Sequence, residues 1–289
     1  MIIQHQGGRL LVKAPAKINL HLEVLGKRPD GYHDLETLMV AVDRFDELTF
    51  EERPDGAELA SNQPGLSMGD DNLVTKALEL VRRETGLTTG ISIALTKTIP
   101  MAAGLAGGSS NAAATLAGLN AWWNLGWNLT RLALLGARLG SDVPFFFAGA
   151  AAVCRGRGEI TTPCRIEKPF HLVIVKPNDG LSTAAVFARL RPSETKRSVE
   201  PIVDALEKGD LPRVGSLLFN RLEESAFAMN SKVADLRRLL ERESRLGSLM
   251  TGSGSAVYAL CESRNEAEEL ARRLSAMNLG EAFAASSCE

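Results

Sequence analysis

One stretch constrains the fold of this chain more than any other: residues 99–121, IPMAAGLAGGSSNAAATLAGLNA. Gly104, Gly107 and Gly108 crowd the approach to an alanine-rich helix, with Pro100 ahead and Ser109, Ser110 and Asn111 behind. Glycine at that density costs conformational entropy on folding, so something requires the main chain bare at this point. The preceding GISIALTKTIP alternates as a strand closed by Pro100, and the spacing predicts a helix from about Ser110 to Trp122. Unsatisfied amides at that helix start, with the positive end of its dipole, make an anion site, and Ser109 and Ser110 are available as hydroxyl donors or caps. The spacing is neither G-x-x-x-x-G-K-[ST] nor G-x-G-x-x-G. The other reading is a turn that lets two backbones pack closely; Pro100, the two serines and Asn111 favour phosphate.

Around this stretch the chain alternates between strand and helix patterns. RLLVKAPAKINLHLEVLG puts Ile18, Leu20, Leu22 and Val24 on one face and Lys17, Asn19, His21 and Glu23 on the other. KRPDGYHDL is a loop, and LETLMVAVDRFDELTFEE returns to strand. DDNLVTKALELVRRETG is an amphipathic helix with Asp71 or Asn72 as cap and Gly86 as stop. LTRLALLGARLG is helical to Gly140, and the chain then turns and becomes extended. Near residue 165 the texture changes to a buried strand, a polar loop, a helix capped by Ser182 and helical stretches at about 199–208 and 211–223. SKVADLRRLLERES and NEAEELARRLSAMN carry apolar stripes, with LGSLMTGSGSAVYALC between them as two strands around a glycine turn. The whole reads as two α+β domains joined near residue 165.

At 289 residues, 45% hydrophobic and 24% charged, the composition is that of a globular chain with a sizeable core. A net charge of −2 gives no electrostatic footprint for nucleic acid. No apolar run reaches bilayer length and no signal peptide is evident at the N-terminus, so the expected location is the cytoplasm. Cys154, Cys164, Cys261 and Cys288 form no C-x-x-C pair and read as reduced thiols. His5, His21, His33 and His171 show no metal-ligand spacing.

Three further segments are weak taken singly. Lys17 in PAKINL, on the polar face of its strand, reads alone as a solvated lysine. Asp142 in LGSDVPFFFAG reads as a helix cap, with Ser141 as the other candidate and Pro144 in the first turn. Gly252 and Gly254 in MTGSGSAVYAL read as an ordinary hairpin turn.

Together and in order, Lys17 in PAKINL, the loop PMAAGLAGGSSNAA, Asp142 in GSDVPFF and TGSGSAV resemble the signatures of the GHMP kinases, a family that includes galactokinase, homoserine kinase and mevalonate kinase. The run GKRPDGYHDLETLM, residues 26–39, is similar to the branch acting on CDP-methylerythritol. The resemblance implies an α+β, two-domain fold: residues 1–165 an ATP-binding domain like domain 2 of ribosomal protein S5, residues 166–289 a ferredoxin-like domain, and substrates bound in the cleft between. It implies ATP-dependent phosphorylation, with Mg²⁺, of the 2-hydroxyl of CDP-methylerythritol in the non-mevalonate isoprenoid precursor pathway. Such an enzyme works on small molecules, without nucleic acid or membrane, as a monomer or weak homodimer.

Residue by residue, Pro100, Gly104, Leu105, Ala106, Gly107, Gly108, Ser109 and Ser110 match the loop that wraps the ATP phosphates, and Lys97 a residue near the adenine pocket. Lys17 and Asp142 match the catalytic pair: Asp142 as proton acceptor, Lys17 keeping it ionised and steadying the attacking oxygen. Asn19, Tyr32 and His33 match the cytidine diphosphate site, Phe187 a second aromatic on the cytosine, and Thr183 the same wall. Ser109 or Ser110 is a candidate contact for Mg²⁺, with no separate protein metal site implied. Ala102, Ala103 and Ala106 stand where relatives often carry glycine, which matters only where a positive φ is required. A GHMP kinase for a smaller alcohol such as homoserine, or a silent protein on the same fold, are the alternatives. The aromatic set speaks against the first, and the presence of both Lys17 and Asp142 against the second.

Overall fold

The alternating patterns of residues 9–27 and 33–52 are realised as two long strands. A computed structural model describes residues 1–191 and 194–288. The chain groups into two compact units, one of Met1–Ala16, Arg44–Ile99 and Ala106–Ala148, the other of Lys17–Asp43, Pro100–Leu105 and Gly149–Glu289. The change in sequence texture near residue 165 falls inside the second unit.

The first unit holds β1 (Ile2–Gln6), the start of β2 (Arg9–Lys27), the end of β3 (His33–Glu52), β4 (Ala57–Ser61), α1 (Leu73–Thr85), β5 (Ile91–Thr96), α2 (Gly107–Trp122) and α3 (Leu129–Ala137). Its strands run in the order β1-β2-β3-β5-β4, with β1 antiparallel to β2, β3 antiparallel to β5, and β4 parallel to β5. Asn72 caps α1 by accepting from the Val74 amide at 2.8 Å, and Gly86 ends it in the left-handed region at φ 74°, as its sequence predicts. Strand β1 carries no strand pattern in the sequence: it is a short segment returned on β2 by Gly7 and Gly8, both at positive φ.

Helix α2 starts at Gly107, three residues before the expected Ser110, and Ser110 does not cap it. Its cap position is Ala106, at φ 54°, with no side-chain cap bond. Both glycines therefore lie inside the first turn. The alanine-rich body is a packing requirement, since Ala112, Ala113, Ala114, Leu116 and Leu119 are wholly buried and a Cβ on Gly118 would lie 2.4 Å from the Phe50 ring. The expected cap at Ser141 or Asp142 is also corrected: Pro144–Phe147 form a single 3₁₀ turn whose cap position is Val143.

The second unit takes the rest of β2, the start of β3, β6 (Ala151–Gly156), β7 (Ile160–Cys164), β8 (His171–Lys176), α4 (Thr183–Ala188), α5 (Glu200–Glu207), α6 (Leu211–Leu217), β9 (Phe219–Asn220), α7 (Glu223–Met229), α8 (Ser231–Glu243), β10 (Ser248–Met250), β11 (Val257–Cys261), α9 (Arg264–Ala276) and β12 (Glu281–Ser286). An antiparallel sheet, β10-β11-β8-β12, buries Val173, Val175, Val257 and Ala259 together with Val233, Leu236 and Leu240 of α8 and Ala267, Leu270 and Leu274 of α9. These are the stripes read from the sequence. The expected helix over 211–223 is broken: Phe219–Asn220 leaves it to pair in parallel with His21 and Leu22 of β2. Asn220 Nδ2 there donates to the carbonyls of Met250 and Gly252 at 2.7 and 2.8 Å, so tertiary pairing overrides local helix propensity.

The polar face of β2 carries the largest correction. Lys17, Asn19, His21 and Glu23 are 3, 0, 2 and 0% exposed, so the lysine is not solvated. Glu23 is held by Arg221 through two bonds of 2.8 and 2.6 Å and by the amides of Val24 and Arg197. Among the described residues no disulfide forms, Cys154 and Cys261 are buried, and no helix is long and apolar enough to cross a membrane.

Candidate active site

Strand β2 alternates, so Lys17 and Asn19 lie on one face two residues apart. In the second unit Lys17 Nζ donates to Asn19 Oδ1 at 2.7 Å. Asn19 Nδ2 donates to Thr37 Oγ1 at 2.8 Å, its amide donates to Thr251 Oγ1 at 3.1 Å, and its carbonyl accepts from the Tyr258 hydroxyl at 2.9 Å. Each polar group of Asn19 is thus fixed, and its carboxamide serves as a bracket for the lysine.

Lys17 also sits against the glycine segment, because its amide donates to the Leu105 carbonyl at 3.1 Å. The turn Thr251–Gly254 closes on the same place. A Cβ on Gly104 (φ 74°) would lie 2.1 Å from the Thr251 carbonyl oxygen, and one on Gly252 (φ 57°) would lie 3.1 Å from that of Gly104 and 3.4 Å from Lys17 Nζ. Both glycines are required by φ and by close backbone approach. Thr251 and Gly252 are neighbours of Asn19 and Lys17; the hairpin reading of TGSGSAV does not show this, the resemblance only marks the segment, and the contact with distant Asn19 gives it its place.

The same unit gathers part of the aromatic set. The His33 and Phe187 rings stack, with centroids 5.0 Å apart and planes at 30°. Burial, and then Lys27, hold the His33 imidazole below its ordinary value and favour its neutral form. Tyr32 is 54% exposed and lies under the Arg157 guanidinium, 4.9 Å from its ring centroid. Thr183, in the first turn of α4, shares a hydrogen bond of 2.7 Å with Ser253 Oγ.

In the first unit, Lys97 is engaged by Asp46, which the sequence alone does not single out, and by Asn111, which the sequence reads toward phosphate but which is buried and turned to this pair. Its ammonium pairs with buried Asp46 and donates to Asn111 Oδ1 at 3.1 Å. The Asp46 carboxylate also accepts from Asn111 Nδ2 and from the amides of Thr98 and Ile99. The Lys97 ammonium is thus held inside the protein, and its amide and carbonyl are both in reach of the Asn62 side chain. Gly107 packs on this lysine, where a Cβ would lie 3.0 Å from Nζ. Ser110 Oγ donates to the Pro15 carbonyl at 2.6 Å, tying the helix start to the strand that leads to Lys17.

The start of α2 fits a polyphosphate. The first amides of a helix lack intrahelical acceptors. Here the cap is an alanine without a side-chain bond and no acidic residue lies in the first turn. A Cβ on Gly108 would meet only Leu73 Cδ1, at 3.7 Å, so its outer side is open. Among the described residues no group of three His, Cys, Asp or Glu side chains is placed to hold a metal. The Ser110 proton is given to Pro15, whereas Ser109 is partly exposed. Asp142 lies just ahead of the 3₁₀ turn, partly exposed.

Comparison with known proteins gives the family. Sequence profiles of the GHMP kinases N terminal domain and the GHMP kinases C terminal match residues 72–150 and 202–278. A 4-diphosphocytidyl-2-C-methyl-D-erythritol kinase of Pelotomaculum thermopropionicum is 43% identical over 270 residues, covering 90% of this chain and 92% of the relative. The crystal structure of a 4-(cytidine 5'-diphospho)-2C-methyl-D-erythritol kinase superposes with a TM-score of 0.83 at 35% identity, covering 96% of this chain and 99% of the other. A homoserine kinase from Cytophaga hutchinsonii shares the fold, with a TM-score of 0.77 at 18% identity over 100% of this chain and 97% of its own. Identity of 43% over 90% of this chain and 35% over 96% of it, with both family profiles matched, places this protein in the GHMP kinase family, on its 4-diphosphocytidyl-2-C-methyl-D-erythritol kinase branch.

Proposed function

We propose that this chain transfers the terminal phosphoryl group of ATP to the 2-hydroxyl of 4-diphosphocytidyl-2-C-methyl-D-erythritol. The observation that carries the reading is the stacked His33–Phe187 pair, in the same unit as the buried, fixed Lys17. A small aliphatic alcohol has no use for an aromatic platform, whereas a cytosine offers a π face to the rings and a polar edge to neutral His33.

Phosphoryl transfer is mostly positioning and charge stabilisation. The amides from Gly107 to Ser109 bind phosphate oxygens at the start of α2, helped by its dipole. ATP is the phosphoryl donor; Mg²⁺ bound with it would offset phosphate charge, and Ser109 is the hydroxyl that would contact it. Lys17, held by Asn19, steadies negative charge on the attacking oxygen, and Asp142 accepts the hydroxyl proton. Lys97 contributes through its chain stem and backbone, because its ammonium is paired with Asp46. In the same reading residues 1–165 and 166–289 are the two functional domains of a cytoplasmic enzyme that works as a monomer or weak homodimer.

The test is to offer ATP with CDP-methylerythritol, homoserine and mevalonate separately and to follow ADP. ADP formed with the first alone is the expected result. ADP formed with another alcohol alone, or with none, overturns the proposal.

A further inference from the structure

We propose that Arg157 is a positioning residue for base recognition: its guanidinium covers one face of the Tyr32 ring and leaves the opposite face as the platform for a pyrimidine. This rests on the assignment of Tyr32 to the cytidine site made above. The backbone of Tyr32 is already held, its amide donating to Asp30 Oδ1 at 3.1 Å and its carbonyl accepting from the Arg28 amide at 2.8 Å. What the loop leaves open is the setting of the ring, which is more than half exposed. An exposed ring that must be ordered on binding loses rotamer freedom, and that weakens binding.

Arg157 supplies the missing constraint from the β6–β7 turn. Its guanidinium carbon lies 4.9 Å from the ring centroid, within the range of a cation–π contact. The arginine is itself anchored. Its amide donates to Glu159 Oε2 at 2.6 Å, its Nε reaches Glu159 Oε1 at 3.5 Å, and the turn closes through Gly158 N to the Arg155 carbonyl at 3.1 Å. Gly156 and Gly158 both have positive φ, and a Cβ on Gly156 would press the Glu159 carboxylate at 3.0 Å. The run R-G-R-G-E is therefore a built turn that presents one planar cation to one ring, and it lies outside the segments that carry the family resemblance.

Steady-state kinetics of the full chain test this with Arg157→Gln, Arg157→Lys, Tyr32→Ala and the Arg157→Gln/Tyr32→Ala double variant. Loss of an exposed cation–π contact predicts a ~2–5-fold rise in KM for the cytidine substrate in Arg157→Gln, with kcat and KM for ATP unchanged. Arg157→Lys keeps the charge but not the planar stack, so its KM lies between wild type and Arg157→Gln. In the Tyr32→Ala background Arg157→Gln adds nothing further. An equal rise in that background means that Arg157 acts on the substrate directly and overturns the proposal, as does an unchanged KM in Arg157→Gln. If Tyr32→Ala itself leaves KM unchanged, the assignment of the base site fails first, and the Arg157 role falls with it.

Discussion

Asn19 Oδ1 accepts from the Lys17 ammonium at 2.7 Å, and both side chains are almost fully withdrawn from solvent. A buried ammonium needs acceptors inside the protein, and the Asn19 carboxamide oxygen is one. Asn19, matched by resemblance to the substrate site, acts in this geometry on the lysine.

Asn19→Ala therefore removes an acceptor for Lys17 and leaves the Thr37 and Thr251 hydroxyls with one partner fewer. The expected cost is ~1–3 kcal/mol of stability, from leaving buried polar groups unsatisfied. kcat falls while KM for ATP holds. Urea unfolding and kinetics on the same preparation check both. Unchanged kcat would show that Lys17 keeps its place without Asn19.

Asp142→Asn keeps the shape of the side chain and removes the proposed base. A positioned base contributes ~10²–10⁴ in rate, so turnover drops on that scale while ATP binding, measured by calorimetry, survives. Near-normal turnover would take Asp142 out of the mechanism.

His33 bears on pH dependence. Burial, and then Lys27, lower its pKa from 6.5, so the folded protein holds the ring neutral around pH 7. Its contribution is present above the unfolded value and is lost as pH falls through the folded one. KM for the cytidine substrate should rise as pH drops below 6.5, and His33→Gln should flatten that rise. A rise that persists in the variant would assign the titration to another group.

Glu23 gives a stability profile of the usual acid form. Burial pushes its pKa up, but the Arg221 fork and the Arg197 and Val24 amides outweigh that and leave it lowered. The stability it contributes is present above the unfolded value of 4.5 and is lost as pH falls through the folded value. Arg221→Met leaves the buried carboxylate with only the Val24 and Arg197 amides and should cost ~3–5 kcal/mol at neutral pH. Urea midpoints across the acid range read both effects, and a loss under 1 kcal/mol, the range of surface pairs, would show that Glu23 gains access to water.

Ala102 and Ala106 adopt φ 51° and 54°, a region that costs an L-residue roughly 1–2 kcal/mol. Ala106→Gly relieves that strain and gives part of the gain back as unfolded-state entropy, so a net stabilisation of ~0.5–1 kcal/mol is expected. A lowered Tm in this variant would mean that the alanine methyl makes packing contacts worth more than the strain.

Much of the fold lies in local signals that read without the tertiary structure. Asn72 and Gly86 bracket α1 because capping is settled within four residues. The apolar stripes of α8 and α9 point where their periodicity says. The glycine run marks a loop that only a bare backbone can follow, and its order with PAKINL, GSDVPFF and TGSGSAV marks the family. Short segments carried too little pattern: β1, β4, β9 and β12 are strands because a partner is there.

What only the tertiary structure decided is the work each marked residue does. Period-two alternation says that Lys17 and Asn19 share a face, but not whether that face meets water. It is buried because Thr251 and Tyr258, 232 and 239 residues further along the chain, close over Asn19. Gly104 answers to the Thr251 carbonyl and Gly107 to Lys97, leaving Gly108 with its outer side open for a ligand. A side chain's type and spacing are local properties of the chain. Its burial and its hydrogen-bond partners are set by whatever distant backbone arrives beside it, and those decide whether a lysine is a solvated charge or a fixed one.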